Sequence, residues 1–503
     1  MQNTTKSNFR LLFIVLIFPC VIFAQEKKDS VPAFWYADSR EITARLDELF
    51  NDPSLNNALW GVAVKSLSKG DYLYQKNVNS LMMPASNLKI ITTAAALEIL
   101  GSSYRIKTEF YTTGKLDGSI LQGDLIVKGY GDPAISGRFT DDKVLKYFED
   151  WADTITAMGI DEIAGNLIGV DDAFDESGLG EGWSWDYESY WFAAPTGALS
   201  LNDNCIDINV RPTRPGSAAY ISTNPNSDYV TIINKVVTVD QDSGTSIDIN
   251  RLRGTNVIIV TGVISTADEL YKTYGTITNP TQYFLVVLKS VLESKGIKIR
   301  GLPIDYDDYD KTLIKDIPKL VYTHYSAPLA DIIRVINKNS QNFFAEQLLK
   351  IIGYEVFGLG TAFNGVKAVK NTLKTMGVEP GEFQMVDGSG LSRLNLVTPM
   401  QLLTVLSYMS TSKNYTAFYA SLPVAGLDGT LSGRMRKTSA QGNVRGKTGF
   451  IGAVRSLSGY LKTADKEPLA FVFILNNYIT PRILADNIQD SVCIRLSKLK
   501  RKK

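Results

Sequence analysis

The chain has 503 residues, 44% of them hydrophobic, enough apolar side chain for a large core spread over two or three domains. Its 53 lysines and arginines nearly balance 52 aspartates and glutamates, for a formal net charge of +1, so nothing points to nucleic acid as a partner. A single histidine, His324, would have to carry any Ser-His-Asp triad alone. No Cys/His or acidic cluster shows metal-ligand spacing, so neither a metal nor another cofactor is expected.

Lys6 and Arg10 precede an apolar run, Leu11 to Ala24, that Pro19 interrupts and polar Gln25 to Lys28 closes. The run is shorter than the roughly 20 residues a bilayer span needs, and it fits a secretory leader over 1–24 cleaved after Ala24. Cys20 lacks the small neighbours of a lipid-anchor site. Export leaves Cys205 and Cys493, which could oxidise to a pair or remain two buried thiols.

Glu41 to Phe50 is predicted as an amphipathic helix, and Trp60–Val64 and Tyr72–Tyr74 as strands. Pro84-Ala85-Ser86-Asn87-Leu88-Lys89 then leads into Ile90 to Leu100, apolar nearly all round and closed by Gly101, the mark of a buried helix. From Tyr104 to Lys319 short apolar runs alternate with Gly, Asp, Asn and Pro, as in Leu125–Val127 and Val257–Val260, a β-rich texture. Within it, Gly182 to Phe192 holds three of the six tryptophans, which composition alone reads as a core aromatic cluster. Helical patterning returns at Leu329–Ile352, Gly365–Met376 and Thr398–Met409. Strand runs at Ser456–Tyr460 and Leu469–Leu475 flank a turn at Ala464–Lys466. The basic tail, Lys498 to Lys503, is expected to be solvated and frayed, with at most weak contact to anionic lipid or wall polymer. Together these features predict one discontinuous α/β (α+β) domain, 25–103 with 320–497, an inserted β-rich region over 104–319, and a tail over 498–503.

Ser86 and Lys89 lie on one helical face, so the amine can serve the hydroxyl as a base. Ser-x-x-Lys also occurs at Ser66, Ser410 and Ser497, but these fall in a hairpin turn, a polar loop and the tail. Only Ser86 opens a buried helix, where free N–H groups favour an alkoxide; the alternative is a plain serine N-cap. Ser-x-Asn recurs in the chain, whereas Lys447-Thr448-Gly449 is unique. The order Ser86/Lys89, Ser340/Asn342, Lys447-Thr448-Gly449 is the trio of penicillin-binding proteins and class A β-lactamases. Ser340 falls at a predicted helix–helix corner, and Lys447 begins a strand-like stretch.

With these motifs the chain resembles the D-Ala-D-Ala carboxypeptidase/endopeptidases among low-molecular-mass penicillin-binding proteins of class C type. Gly129-Tyr130-Gly131-Asp132-Pro133, Val386-Asp387-Gly388-Ser389-Gly390-Leu391-Ser392-Arg393 and Leu422 to Leu431 add to the likeness. So does the spacing 340 − 86 = 254 between the two serines, room for inserted domains. The resemblance implies a serine β-lactamase/transpeptidase-like fold and a periplasmic enzyme acting on peptidoglycan stem peptides or cross-links and acylated by β-lactams. Ser86 would form the acyl-enzyme and Lys89 would be its base; bringing a lysine from about 10.4 to near 7 takes roughly 4–5 kcal/mol, which burial beside Lys447 could supply. Ser340 would relay a proton, Asn342 would orient Lys89 and the substrate amide, and Lys447 and Thr448 would hold the substrate carboxylate. Ser86 and Phe450 N–H groups would form the oxyanion hole, with Gly449 allowing close approach. Arg393, Trp185 and Asp186, or alternatively Glu188, would receive the free end of the stem's diamino acid. His324 is expected to be structural. A β-lactamase-like hydrolase and an inactive wall-binding module are the competing readings, and nothing in the sequence sets an oligomeric state.

Overall fold

A computed structural model describes residues 35–310 and 317–502, and the leader expected over 1–24 lies outside them. An antiparallel five-stranded sheet runs in the order Arg445–Ile451, Val454–Lys462, Pro468–Asn476, Leu59–Ser66, Tyr72–Lys76. Two strands come from the N-terminal part and three from the C-terminal part, so the sheet exists only when the two meet.

Leu469 to Leu475 shows no polar alternation because both faces of the sheet are covered. Successive side chains point to opposite faces: Leu469, Phe471, Phe473 and Leu475 enter one core, Ala470, Val472 and Ile474 another. The first core is shared with the helices Ser39–Phe50 and Arg482–Lys498. Ile42, Leu46 and Phe50 form the buried stripe of Ser39–Phe50, and Asp38 and Glu41 close a reciprocal capping box at its start. On the other face, Leu88–Leu100 touches Leu329–Lys338, Asn342–Phe357, Ala362–Thr375 and Pro399–Met409. That central position explains why every residue from Leu88 to Leu97 is buried.

The insert has its own core. Its largest sheet runs in the order Pro303–Asp305, Leu167–Val170, Leu125–Gly129, Lys107–Thr112, Lys319–Tyr325. Because Lys319–Tyr325 pairs with Lys107–Thr112, the chain leaves this sheet after Tyr325, not at the 319/320 boundary drawn from composition. Two helices hidden by the strand texture, Lys146–Ala157 and Pro280–Ser294, pack together in this core. His324 sits in the Lys319–Tyr325 strand with its ring between Tyr147 and Trp151. Burial lowers its pKa to about 4, which fits the structural role expected of it. Cys205 and Cys493 are unbonded and buried in different cores, which settles the open pair as two thiols.

The tail is not frayed. Leu499–Arg501 pairs in parallel with Trp35–Ala37, Leu499 is buried, Arg501 reaches Asp71 and Glu467, and Lys502 reaches Glu41. A basic run reads as solvated from charge alone, but here the cations have specific acids to meet. Truncation after Lys498 is expected to cost about 1.5–3 kcal/mol, the burial of one leucine. Calorimetry would read this as a lower Tm, and an unchanged Tm would show that the strand contributes nothing. Among the described residues no helix is long and apolar enough to cross a membrane.

Candidate active site

Ser86 stands in a short 3-10 turn, Ala85–Asn87, and the α-helix opens at Leu88. Its hydroxyl caps no helix, so the plain N-cap reading falls away. The turn is tied to the sheet from several sides. Asn476 accepts from the Met83 amide at 2.9 Å and donates to the Met83 carbonyl at 3.0 Å. Ser456 donates to the Pro84 carbonyl at 2.7 Å and accepts from the Asn87 side chain. Ala85 is held at φ 47°, a left-handed conformation uncommon for a residue with a side chain. Neighbouring backbone is correspondingly close: a Cβ at Gly390 would lie 1.9 Å from the Ala85 carbonyl oxygen, and one at Gly449 would lie 3.0 Å from the Ser86 nitrogen.

One turn on, Lys89 is fully buried with its Nζ 3.1 Å from Ser86 Oγ, 2.6 Å from Asn342 Oδ1 and 2.7 Å from the Ser389 carbonyl oxygen. Burial pushes its pKa down to about 7, while the charges of Glu346 and Asp387 pull it back up. Burial, rather than the neighbouring Lys447, is therefore the cause of the lowering. Lys447 is equally buried and donates to Ser340 Oγ at 2.8 Å and to the Thr448 carbonyl at 2.7 Å. Burial, then the charges of Lys89 and Arg455, hold it well below the ordinary lysine range. Among the described residues neither amine has a carboxylate oxygen within 4.0 Å.

Ser340 lies between Leu329–Lys338 and Asn342–Phe357 at φ 58°, the tight corner that aims its hydroxyl at Lys447. Asn342 links the two parts of the molecule, since its Nδ2 donates to the Phe192 carbonyl of the insert at 2.7 Å. Lys447, Thr448, Gly449 and Phe450 belong to the edge strand Arg445–Ile451. Thr448 Oγ1 meets Thr430 Oγ1 at 2.8 Å, and the Phe450 ring is half exposed.

Sequence reasoning gave no role to two buried acids that set this geometry. The carboxylate of Glu346 accepts from the Gly388 and Ser389 amides, both at 2.8 Å, which holds the Ser389 carbonyl against Lys89. Asp387 accepts from the Gly390 and Ser392 amides, Asn395 and Trp183, which fixes the rest of that turn. Burial pushes Glu346 up to about 7 and raises Asp387 as well. The available signal was Asp387-Gly388-Ser389-Gly390 itself, a polar turn in an apolar neighbourhood.

The peripheral residues are less closely gathered. Trp183, Tyr187 and Phe192 pack on a small core that includes Ala85, Leu391 and Ile451, so this part of the aromatic stretch is core packing beside the Ser86 turn. Trp185, however, is 69% exposed beneath the Arg253 guanidinium, and Asp186 is exposed too. Glu188 is already paired with Arg253 at 2.9 Å. Arg393 is exposed and donates to the Gly452 carbonyl at 2.8 Å rather than to a carboxylate. On the insert, Asp171, Glu176 and Asp307 bring one carboxylate oxygen each within 4.8 Å of one another, an acidic group that spacing in sequence could not reveal.

The model of the D-Ala-D-Ala carboxypeptidase 3 (S13) family matches residues 42–499. The chain is 32% identical over 475 residues to a D-alanyl-D-alanine carboxypeptidase of Actinomadura sp. (strain R39), covering 91% of this chain and 85% of that one. It is 27% identical over 462 residues to the D-alanyl-D-alanine carboxypeptidase DacB of Haemophilus influenzae, with 90% of each covered. The crystal structure of penicillin binding protein 4 from Haemophilus influenzae superposes with a TM-score of 0.77 at 25% identity, over 90% of this chain and 99% of that one. A matching fold, a match across nearly the whole length and two amines beside two serines agree: the chain belongs to the D-Ala-D-Ala carboxypeptidase 3 (S13) family and is a D-alanyl-D-alanine carboxypeptidase.

Proposed function

We propose that the chain trims peptidoglycan stem peptides through an acyl-enzyme on Ser86, that the same centre opens D-alanyl cross-links as a DD-endopeptidase, and that β-lactams acylate it. The carrying observation is the 3.1 Å approach of Lys89 Nζ to Ser86 Oγ in a site that holds the amine near pKa 7. A neutral amine has two hydrogens; Asn342 Oδ1 and the Ser389 carbonyl take them, and the lone pair is left for the Ser86 hydroxyl.

In this reading Ser86 Oγ attacks the carbonyl of the penultimate D-alanine as its proton passes to Lys89. The Ser86 and Phe450 amides receive the oxyanion. The terminal D-alanine leaves with a proton relayed through Ser340, and water then hydrolyses the ester. Lys447 and Thr448 hold the terminal carboxylate, which would be the counter-ion that Lys447 lacks among the described residues. Binding that carboxylate raises the Lys447 pKa and so favours its charged form. Arg393 takes the free carboxylate of the stem's diamino acid. Gly182, three residues before Trp185, lies close to Ser392 and Leu394, the chain neighbours of Arg393, and Trp185 and Asp186 would complete that pocket. The expected leader over 1–24 would deliver the enzyme to the periplasm, where this substrate lies.

Ser86→Ala is expected to abolish both D-alanine release from disaccharide-pentapeptides and the mass increment after exposure to benzylpenicillin. Products and adduct are both read by mass spectrometry, and an adduct retained by this variant would overturn the assignment.

A further inference from the structure

Behind the Ser340 corner a second cleft, about 470 Å³ in volume, opens between the insert and the helical layer. Its floor is one face of a three-stranded sheet. Cys205, Asp207 and Asn209 alternate along Cys205–Arg211 toward the cleft, while Ile206, Ile208 and Val210 enter the insert core. Register places Asn224 and Tyr274 beside Asp207, and Lys272 beside Asn209.

The cleft shares its wall with the catalytic centre. Gln341 and Trp191 line the cleft, whereas their sequence neighbours Asn342 and Phe192 meet in the active site. Consecutive Cα atoms are only about 3.8 Å apart, so a ligand in the cleft would lie next to the reacting peptide.

Among the described residues two buried acceptors there have no donor. Gln341 is 1% exposed and Asp203 8% exposed, yet Gln341 Oε1 and Asp203 Oδ1 lack partners. Their other atoms are engaged, since Gln341 Nε2 donates to Asp203 Oδ2 at 2.7 Å and Arg138 Nε donates to the same oxygen at 2.8 Å. Buried acceptors without donors are unfavourable; both oxygens lie beneath the cleft surface, so a ligand's O–H or N–H groups would reach them only if the wall shifts.

The geometry points to a subsite for an N-acetylated amino sugar of peptidoglycan, seated in this cleft while its stem peptide occupies the Ser86 centre. The inference rests on the reading of that centre given above. Asn209, Asn224 and Asn339 can each donate and accept, as hydroxyl and acetamide groups require. Trp191 and Tyr274, 39% and 41% exposed, add aromatic surface to the lining, on which the C–H face of a sugar could pack. Cations and carboxylates are nearly balanced, and Arg138 is already paired with Asp203, which suits a neutral ligand. The floor strand Cys205–Arg211 is hydrogen-bonded on both sides, so an extended peptide could pair only with the edge strands Tyr220–Asn224 and Tyr271–Thr276.

The test compares kcat/KM for a disaccharide-pentapeptide with that for the same pentapeptide without sugars, in the unaltered protein and in Tyr274→Ala and Asn209→Ala. The unaltered protein is expected to prefer the sugar-bearing substrate about three- to tenfold, the scale of one good ring contact. Either variant should bring the ratio toward one while bare pentapeptide turnover and benzylpenicillin acylation stay unchanged, which also shows that the variant is folded. Equal kcat/KM for the two substrates in the unaltered protein, or a variant that slows both alike, overturns the subsite. So does a variant-sensitive preference for cross-linked peptide dimers lacking sugars, which would assign the cleft to peptide. A second arm titrates di-N-acetylchitobiose into Ser86→Ala and follows tryptophan fluorescence. If no substrate is turned over, the failure belongs to the Ser86 reading and the titration decides the cleft: a saturable change lost in Tyr274→Ala supports it, and none overturns it.

Discussion

Lys89→Met is expected to leave Ser86 in its turn and to slow acylation by about 10²–10⁴-fold, the contribution of a well-placed general base. Methionine nearly matches the lysine stem in length and carries no charge. The loss falls on proton transfer, although the Asn342 and Ser389 oxygens each lose a donor, at about 1–3 kcal/mol apiece. Part of that is returned because no amine has to be desolvated. The pH profile gives the sharper signature. Burial lowers the Lys89 pKa from 10.5 to about 7, so the neutral, proton-accepting form predominates above that pH and declines below it. For the free enzyme kcat/KM should therefore rise about tenfold per pH unit below pH 7 and level off above it. Lys89→Met should show no such limb. Glu346→Gln should move the limb to lower pH, because the Glu346 charge is one of the two that pull Lys89 upward. Stopped-flow acylation by a chromogenic β-lactam across pH reads all three proteins, and a limb near 10 in the unaltered protein would remove Lys89 from the role of base.

Much of this centre was legible because helical spacing alone puts Lys89 under Ser86, and because a unique Lys-Thr-Gly at a strand start fixes the third element. The strands and helices flanking them were visible for the same reason, the period of their apolar residues. What stayed hidden is what tertiary contact decides. Glu346 sits in a helix whose first twelve residues are all buried, so its pattern reads as core, and only the folded turn at Gly388–Ser389 gives its carboxylate a purpose. Pro280–Ser294 was concealed within strand texture although Phe284, Leu288, Val291 and Leu292 carry a helical period. The Lys319–Tyr325 strand and the Leu499–Arg501 strand were lost for a different reason. Each is defined by a partner far away in sequence, and neither composition nor charge announces a pairing at that range.

Gly390→Ala is expected to lower both acylation and D-alanine release by about 10²-fold, the scale of a 1 Å misplacement at a reacting centre. Gly390 has φ 80°, where a side chain costs about 1–2 kcal/mol from backbone sterics alone. Its added Cβ would also stand 1.9 Å from the Ala85 carbonyl oxygen and 2.5 Å from the carbon behind it. That contact is backbone against backbone, so no side-chain rotation relieves it. Either the Asp387–Gly390 turn retreats and takes the Ser389 carbonyl away from Lys89, or Ala85 retreats and takes Ser86 with it. Both movements break the same catalytic approach from opposite sides, which is why the effect on rate should exceed the effect on folding. Gly381→Ala is the matched control, since its added Cβ meets nothing within 4 Å, and it should change neither rate nor Tm. Acylation kinetics alongside thermal melts of the two variants separate the cases. A Gly390→Ala protein that acylates at the unaltered rate would mean that the nucleophile turn tolerates displacement, and that the closeness of these two backbones is not what aims the serine.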